Sequence, residues 1–151
     1  MTDEFYMSRA LDLAKEALFD GEVPVGCVIV WKDGRIVGEG RNRRERDRDA
    51  LGHAELAAIR MACQTVGGWR LNKARLYVTL EPCPMCAGAI LNARIPEIHY
   101  AAKDPSMGSC GSVLNIFEEN FGFHPRIFRG PLEAESAQLL SGFFARTRGQ
   151  I

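Results

Sequence analysis

Two short stretches organise this chain: Gly-His-Ala-Glu at residues 52–55 and Leu-Glu-Pro-Cys-Pro-Met-Cys at residues 80–86. Between them they supply the imidazole of His53, the thiols of Cys83 and Cys86, and the carboxylate of Glu55. Catalytic zinc usually has three protein ligands and one open position, whereas structural zinc usually has four protein ligands. We therefore predict a catalytic zinc site in which His53, Cys83 and Cys86 are the ligands and Glu55 is free for chemistry.

The spacing of these residues supports that prediction. If a helix begins at Cys83, the thiols of Cys83 and Cys86 lie on one face and can reach the same metal ion. Pro84 fits the first turn of such a helix, and the exposed amides at a helix N-terminus stabilise thiolates. Glu55 lies two residues beyond His53, where it can move a proton of the water that zinc activates by lowering its pKa to about 7.

Two other interpretations of the cysteines are open at this point. A structural four-ligand zinc site could recruit a further thiol or imidazole, although no candidate stands in a second closely spaced pair. The candidates are Cys27, Cys63, Cys110, His99 and His124. A redox-active pair of Cys83 and Cys86 would leave His53 and Glu55 without a function. We interpret Cys63 as a core residue of its helix and His99 as a structural residue of its strand.

The composition predicts one globular domain over residues 1–151, with a substantial core. The formal net charge is zero, so any nucleic-acid-binding surface must be local. Five cysteines, two of them assigned to a metal, indicate a reducing compartment rather than a disulfide framework. No apolar run approaches the roughly 18 residues of a membrane span, and the N-terminus does not have the pattern of a secretory signal. We expect a cytoplasmic protein that makes no use of a membrane.

Hydrophobic periodicity predicts strands that alternate with helices, and hence an α/β fold whose sheet is covered on both faces. The predicted helices span residues 3–19, 53–66, 83–93 and 131–148, with a short helix at 113–119. The predicted strands span residues 23–31, 35–40, 74–80, 97–102 and 124–129. The dipeptide Asp33-Gly34 is a hairpin signal, so the first two strands should be antiparallel neighbours.

An arginine-rich loop at residues 41–48 leads into the second helix. Arginines alternating with acidic residues are typical of a solvated loop, but a loop that leads directly to His53 could also contact phosphate groups. Asn42 lies in the same loop. An asparagine near a pocket can bind a ribose hydroxyl or a base edge, although asparagine is also common in ordinary loops.

The combined pattern His-x-Glu…Pro-Cys-x-x-Cys is the signature of zinc-dependent nucleobase deaminases. On this pattern and on further blocks, the chain resembles the bacterial tRNA-specific adenosine deaminases of the cytidine deaminase-like superfamily. The blocks are Val-Pro-Val-Gly at 23–26, Asn42, Leu-Tyr-Val-Thr-Leu-Glu-Pro-Cys at 76–83, Met-Cys-Ala-Gly-Ala at 85–89, Leu-Leu-Ser at 139–141, and the pair Phe143 and Phe144. The resemblance covers nearly the whole chain. Residues 49–52, Asp-Ala-Leu-Gly, depart from the Asp-Pro-Thr-Ala that is common in the family.

This resemblance implies a three-layer α/β/α sandwich around a five-stranded mixed sheet, a homodimer, and one Zn²⁺ per subunit. It also implies that Glu55 moves protons and that the substrate is the flipped wobble adenosine in the anticodon stem-loop of an arginine tRNA, converted to inosine. The residues that it implies for substrate binding are Val25, Asn42, the backbone of Ala54, and Asp104.

The end of the last helix predicts further RNA contacts through Phe144 and Arg146, because bases stack on aromatic and guanidinium groups. Adjacent helical residues point about 100° apart, so we expect Phe144 to face the RNA and Phe143 to face the core. Two other functions remain open. One is a deaminase of a free base or nucleoside, such as guanine, cytosine or cytidine. The other is a structural zinc protein that binds nucleic acid, against which Glu55 argues.

Overall fold

A five-stranded mixed sheet forms the centre of the structure, a computed structural model that describes residues 1–148. The strands are β1 (Gly26–Trp31), β2 (Ile36–Arg41), β3 (Ala74–Leu80), β4 (Glu97–Ala102) and β5 (Arg126–Arg129). Their order across the sheet is β2-β1-β3-β4-β5. β1 is antiparallel to β2 and β3, whereas β3, β4 and β5 run parallel. The predicted hairpin and the mixed sheet are therefore confirmed.

Four helices cover this sheet in two layers. They are α1 (Asp3–Phe19), α2 (Ala54–Val66), α3 (Pro84–Ala93) and α4 (Glu133–Arg148). α1 contacts α4 on one face of the sheet, and α2 contacts α3 on the other. Alternate residues of β1 serve the two faces: Val28 and Val30 pack with α1, while Cys27 and Ile29 belong to the core beneath α2 and α3. The predicted three-layer α/β/α sandwich is confirmed.

The first strand is shorter than predicted, and the reason bears on the site. Instead of residue 23 it begins at Gly26, because Pro24 has no N–H to contribute to a ladder. The N–H of Gly26 donates instead to Thr79 Oγ1 at 3.1 Å, and the carbonyl of Val25 accepts from the N–H of Asn42 at 3.1 Å. Residues 23–25 are therefore an extended lead-in at the end of the sheet and not part of it.

Other predicted boundaries also move. β2 lies one residue later than predicted, beside a bulge at Ile29 and Val30. The short helix predicted at 113–119 is a single 3₁₀ turn, Ile116–Glu118, and the last strand begins at Arg126 rather than at residue 124. The closing helix begins at Glu133 instead of residue 131, because Leu132 has a positive φ of 65° that a helix cannot contain.

Glycines in β2 let α2 lie directly on the sheet. A Cβ atom at Gly38 would overlap the carbonyl oxygen of Ala58, and one at Gly40 would overlap that of Ala54. The helix backbone thus contacts the strand backbone with no side chain between them. This close approach brings the start of α2, where His53 and Glu55 lie, down against the end of the sheet.

No helix within residues 1–148 has the length and apolar character needed to cross a membrane.

Candidate active site

The starts of α2 and α3 meet beside the carboxyl end of β3. His53 and Cys83 are the N-cap residues of the two helices, both with extended backbone, and Cys86 lies in the first turn of α3. We predicted that these two residues would begin the helices; each instead stands one position before the first helical residue. His53 Nδ1 lies 3.6 Å from Cys83 Sγ and 3.4 Å from Cys86 Sγ. The ligand atoms of all three side chains lie within 4.8 Å of one another.

The electrostatics of this cluster favour a thiolate. The Cys86 thiol donates a hydrogen bond to Cys83, which lowers the pKa of Cys83 to about 4, and the imidazole of His53 acts in the same direction. The bond to Cys83 and burial raise the pKa of Cys86. The pKa of His53 is raised because its ring bonds to Cys83. Of the two thiols, Cys83 is therefore the more readily ionised, and the thiolate is the form of cysteine that binds a metal ion.

The donor set fits zinc. One imidazole nitrogen and two sulfurs suit a borderline-soft cation, and three protein ligands leave a position for water or substrate. In the part of the chain that the structure describes, no other histidine, cysteine or carboxylate joins the group. Cys27, Cys63, Cys110, His99 and His124, the alternative fourth ligands, all lie outside it. His99 is stacked between Tyr77 and Phe128 and bonds to Glu97 at 2.8 Å, as expected of a structural residue.

Glu55 lies in the first turn of α2, with only 4% of its surface exposed. Burial disfavours its ionised form and raises the pKa of its carboxyl to about 7. The neighbouring thiolate of Cys83 adds to the increase, while His53 opposes it. A carboxyl group with a pKa near neutrality can both accept and return a proton at working pH.

A pocket with a cavity volume of about 990 Å³ opens above His53, Glu55 and Cys83. Several separate segments line it: the lead-in to β1, the loop before α2, the starts of α2 and α3, the loop after β4, and α4. Apart from these three site residues, its lining includes Val23, Val25, Asn42, Arg44, Ala50, Ala54, Leu80, Met85, Lys103, Asp104, Ser106, Met107, Ala137, Leu140 and Phe144. Five of the six predicted substrate-binding residues are in this lining. The exception is Arg146, which is exposed on α4 outside the pocket.

Two of those predicted residues also shape their own loops. Asn42 Nδ2 donates to the carbonyl of Val23 at 3.2 Å, and Asn42 Oδ1 accepts from the N–H of Arg44 at 3.3 Å. Asp104 Oδ1 accepts from the N–H groups of Ser106 at 3.0 Å and Met107 at 3.2 Å. Amides and carboxylates can form more bonds than these, so a contact with substrate stays a prediction for both residues.

The two aromatic residues near the end of α4 differ in exposure. The Phe144 side chain lines the pocket and is 45% exposed, whereas Phe143 is half-buried behind it. The two rings contact edge to face with centroids 5.4 Å apart. Phe144 is therefore available to stack on a bound ring.

Sequence reasoning missed several residues of the pocket wall. Met85 sits inside the motif, and its position one residue before Cys86 could have identified it. Residues 105–107 and Leu140 have no such signal, because only the packing of the loop after β4 and of α4 brings them to the pocket. Residues 49–52, which depart from the family pattern, are held by a local hydrogen bond in which Asp49 Oδ1 accepts from the N–H of Leu51 at 2.9 Å. Ala50 in this stretch lines the pocket.

Fold and site together define a zinc-dependent deaminase. The sequence model of the cytidine and deoxycytidylate deaminase zinc-binding region matches residues 1–102, and the chain belongs to that family. Within the family, the chain is 44% identical over 147 residues to the tRNA-specific adenosine deaminase of Bacillus subtilis (strain 168), an alignment that covers 97% of this chain and 91% of that protein. The resemblance to bacterial tRNA-specific adenosine deaminases is thereby confirmed, and so is the assignment of zinc as cofactor.

Solved structures agree with this placement. One, from work on tRNA A34 deaminases that edit adenosine to inosine at the wobble position, superposes with a TM-score of 0.85 at 44% identity, over 90% of this chain and 99% of that one. Another, a guanine deaminase from Bacillus subtilis, superposes with a TM-score of 0.66 at 34% identity, over 98% of this chain and 95% of that one.

The cluster geometry predicts which cysteines hold the metal. Cys83→Ser or Cys86→Ser should lose stoichiometric zinc, because each change replaces one of three protein ligands with a hydroxyl that zinc binds poorly. Cys110→Ser is the matched control: this cysteine is partly buried, like Cys83, and follows the neighbouring strand β4, yet lies outside the cluster. Elemental analysis of the purified variants measures the effect. Full zinc occupancy in Cys83→Ser would show that the ligand assignment is wrong.

Proposed function

We propose that this chain converts the wobble adenosine in the anticodon stem-loop of a tRNA, an arginine tRNA, to inosine by zinc-dependent hydrolytic deamination. The observation that carries the proposal is the buried carboxyl of Glu55 beside a three-ligand metal site at the base of an open pocket. The named activities of relatives with 44% identity support the choice of tRNA adenosine as substrate.

In the proposed mechanism, His53, Cys83 and Cys86 would hold zinc, which when bound would supply Lewis-acid activation of water. Glu55 accepts a proton as the water oxygen forms its bond to C6 of adenine, and it delivers a proton to the adjacent ring nitrogen. Glu55 then takes the remaining proton from the oxygen now bound to C6 and delivers it to the exocyclic nitrogen as the bond from C6 to that nitrogen breaks, which leaves the carbonyl group of inosine. Water and adenosine are consumed, and inosine and ammonia are formed. A carboxyl group with a pKa near 7 suits both directions of transfer.

The rim of the pocket suits a nucleotide that remains part of an RNA chain. Of the arginines at residues 41–48, Arg41 and Arg46 pair with Asp20, and Arg43 pairs with Asp47. These pairs fit the solvated-loop interpretation. Arg44 instead is exposed and lines the pocket, so the phosphate-contact interpretation applies to it.

The exposed ring of Phe144 adds a stacking surface at the same rim. Base stacking on an aromatic side chain is worth about 1–3 kcal/mol. Single-stranded RNA loops present unstacked bases to such surfaces. We propose that Phe144 stacks on a base of the anticodon loop, that Arg146 contacts its backbone, and that Val25, Asn42, Ala54 and Asp104 surround the adenosine.

Deamination of free guanine is the second candidate. The structural relative with 34% identity is a guanine deaminase, and the metal cluster by itself does not distinguish a free base from one in RNA. The open rim formed by Arg44 and Phe144 favours the larger substrate.

We also propose that residues 1–151 act as one domain in a cytoplasmic homodimer. Residues 149–151 lie outside the described part of the chain. Five free cysteines suit a reducing compartment. Exposed large apolar side chains are available for such an interface, because covering them would remove apolar surface from water. They include Leu51, Met61, Trp69, Val113 and Leu114.

The mechanism predicts a specific defect for Glu55→Gln. The amide has nearly the same shape but cannot carry the proton, so the variant should fold, bind zinc and lose roughly 10²–10⁴-fold in kcat. Single-turnover deamination kinetics and zinc analysis on the same preparation measure both properties. A zinc-loaded Glu55→Gln with a nearly normal rate would exclude Glu55 as the proton carrier.

The substrate proposal predicts a clear preference in direct competition. At equal concentration, an arginine anticodon stem-loop with adenosine at the wobble position should be converted to inosine while free adenine, guanine and cytidine stay largely unchanged. A stem-loop with guanosine at that position is the control substrate. Inosine is measured by nuclease digestion and mass spectrometry. Efficient turnover of guanine with an unmodified stem-loop would replace this proposal with the free-base alternative.

The dimer proposal predicts that sedimentation equilibrium at micromolar concentration gives twice the chain mass of 16.8 kDa. The mass should stay doubled on moderate dilution, because an interface that covers these apolar residues is held mainly by the hydrophobic effect. A mass of one chain at every concentration would contradict it.

A further inference from the structure

Two buried carboxylates lie outside the chemistry described above. Glu22 and Glu81 are each only 2% exposed, and among the residues that the structure describes neither belongs to the metal-ligand cluster nor forms a salt bridge. Burying a carboxylate costs free energy unless hydrogen bonds compensate. In both cases the compensating donors are backbone N–H groups of a loop that lines the pocket, and this shared arrangement gives the two residues a common role.

Glu81 lies directly after β3 and accepts four bonds from the loop at residues 103–112. Its Oε1 accepts from the N–H of Asp104 at 3.1 Å and from the hydroxyl of Ser112. Its Oε2 accepts from the N–H groups of Cys110 at 2.8 Å and Ser112 at 3.2 Å. A Cβ atom at Gly108 would overlap the carboxyl group, so the loop wraps closely around it. The part of this loop between the anchored ends supplies Asp104, Ser106 and Met107 to the pocket.

Glu22 does the same for the loop before α2. Its Oε1 accepts from the N–H of Glu45 at 3.1 Å, and its Oε2 accepts from the N–H of Arg46 at 2.7 Å. That loop supplies Asn42, Arg44 and Ala50 to the pocket. The two oxygens of a carboxylate can accept several hydrogen bonds between them, so a single side chain can hold more than one loop residue in place.

We infer that Glu22 and Glu81 are positioning residues, each of which fixes one loop wall of the substrate pocket. The inference takes its substrate from the proposed function, whereas the hydrogen bonds on which it rests do not depend on that function. A displaced or mobile loop would bind the nucleotide less well, and the loss would be similar in the ground state and in the transition state. Loss of such uniform binding raises KM and leaves kcat largely unchanged.

The test uses Glu81→Gln and Glu22→Gln in the zinc-loaded protein. A glutamine keeps one acceptor oxygen but directs an amide N–H₂ at the remaining backbone donors, so the loop loses one of its two acceptor atoms without a change in side-chain size. Glu97→Gln is the matched control, because Glu97 has a side chain only 14% exposed and bonds to His99 and Arg126 at the amino end of β4, the opposite end from the pocket.

Two readouts separate positioning from stability. Amide hydrogen exchange, measured without substrate, should become at least about tenfold faster at residues 104–112 in Glu81→Gln and at residues 45–46 in Glu22→Gln, each without change in the other loop. With the anticodon stem-loop, KM should rise about tenfold in each variant at full zinc occupancy, since a displacement of about 1 Å can cost up to 10²-fold. Glu97→Gln should change neither quantity.

Unchanged loop exchange in both variants would overturn the inference. So would an unchanged KM accompanied by a lower kcat and a smaller folded fraction, the pattern of a purely structural role. If Glu81→Gln fails to fold, Ser112→Ala removes one donor to Glu81 and should give a smaller change in the same direction. If the wild-type protein does not act on the stem-loop, the proposed function fails, while the exchange measurements still decide the role of the two carboxylates.

Discussion

The meeting of two helix starts at the end of β3 is the constraint on which the rest of the site depends. His53 and Cys83 cap α2 and α3, so their backbones leave the helical path just where their side chains turn toward each other. Unpaired amides at a helix start stabilise negative charge, which suits the Cys83 thiolate. The contact is possible only because glycines 38 and 40 let the backbone of α2 rest on β2. A larger residue at position 38 or 40 would push α2 away from the sheet. His53 would then move away from the two thiols although all three metal ligands are still present.

Three buried glutamates near this point show how environment assigns a role to one type of side chain. Glu55 lies in a site where burial outweighs its favourable contacts, so its pKa rises to about 7 and its proton becomes transferable. Glu22 and Glu81 are as deeply buried, but Glu22 accepts from two backbone N–H groups and Glu81 from three. Donors of this kind offset the free-energy cost of burying a carboxylate. The first glutamate is suited to proton transfer and the other two to holding loops.

Sequence reasoning could reach the metal ligands, Glu55 and the order of the elements because these follow from local patterns. Ligand spacing, periodic apolar residues and the hairpin dipeptide each act over a few residues. The start of β1 could not be placed, because the partner of the Gly26 N–H is Thr79, more than fifty residues away in sequence. The path of the loop after β4 could not be predicted either, because it depends on hydrogen bonds to Glu81. In the sequence, Glu81 stands out only as part of the zinc motif. Tertiary bonds decide such segments, and no local propensity reports them.

The metal-ligand cluster and the loops that line the pocket contribute differently to substrate specificity. The chain is related both to tRNA adenosine deaminases and, at 34% identity, to a guanine deaminase. The metal-ligand cluster and Glu55, the proposed proton carrier, suit hydrolytic deamination, but neither contacts the parts of the substrate that distinguish RNA from a free base. The choice between adenine in RNA and a free purine must therefore come from the surfaces above the cluster. Those surfaces are the two loops held by Glu22 and Glu81 and the end of α4 with Phe144. Loops can change sequence at little cost to the sheet, so a fold of this kind can keep its chemistry fixed while its substrate changes.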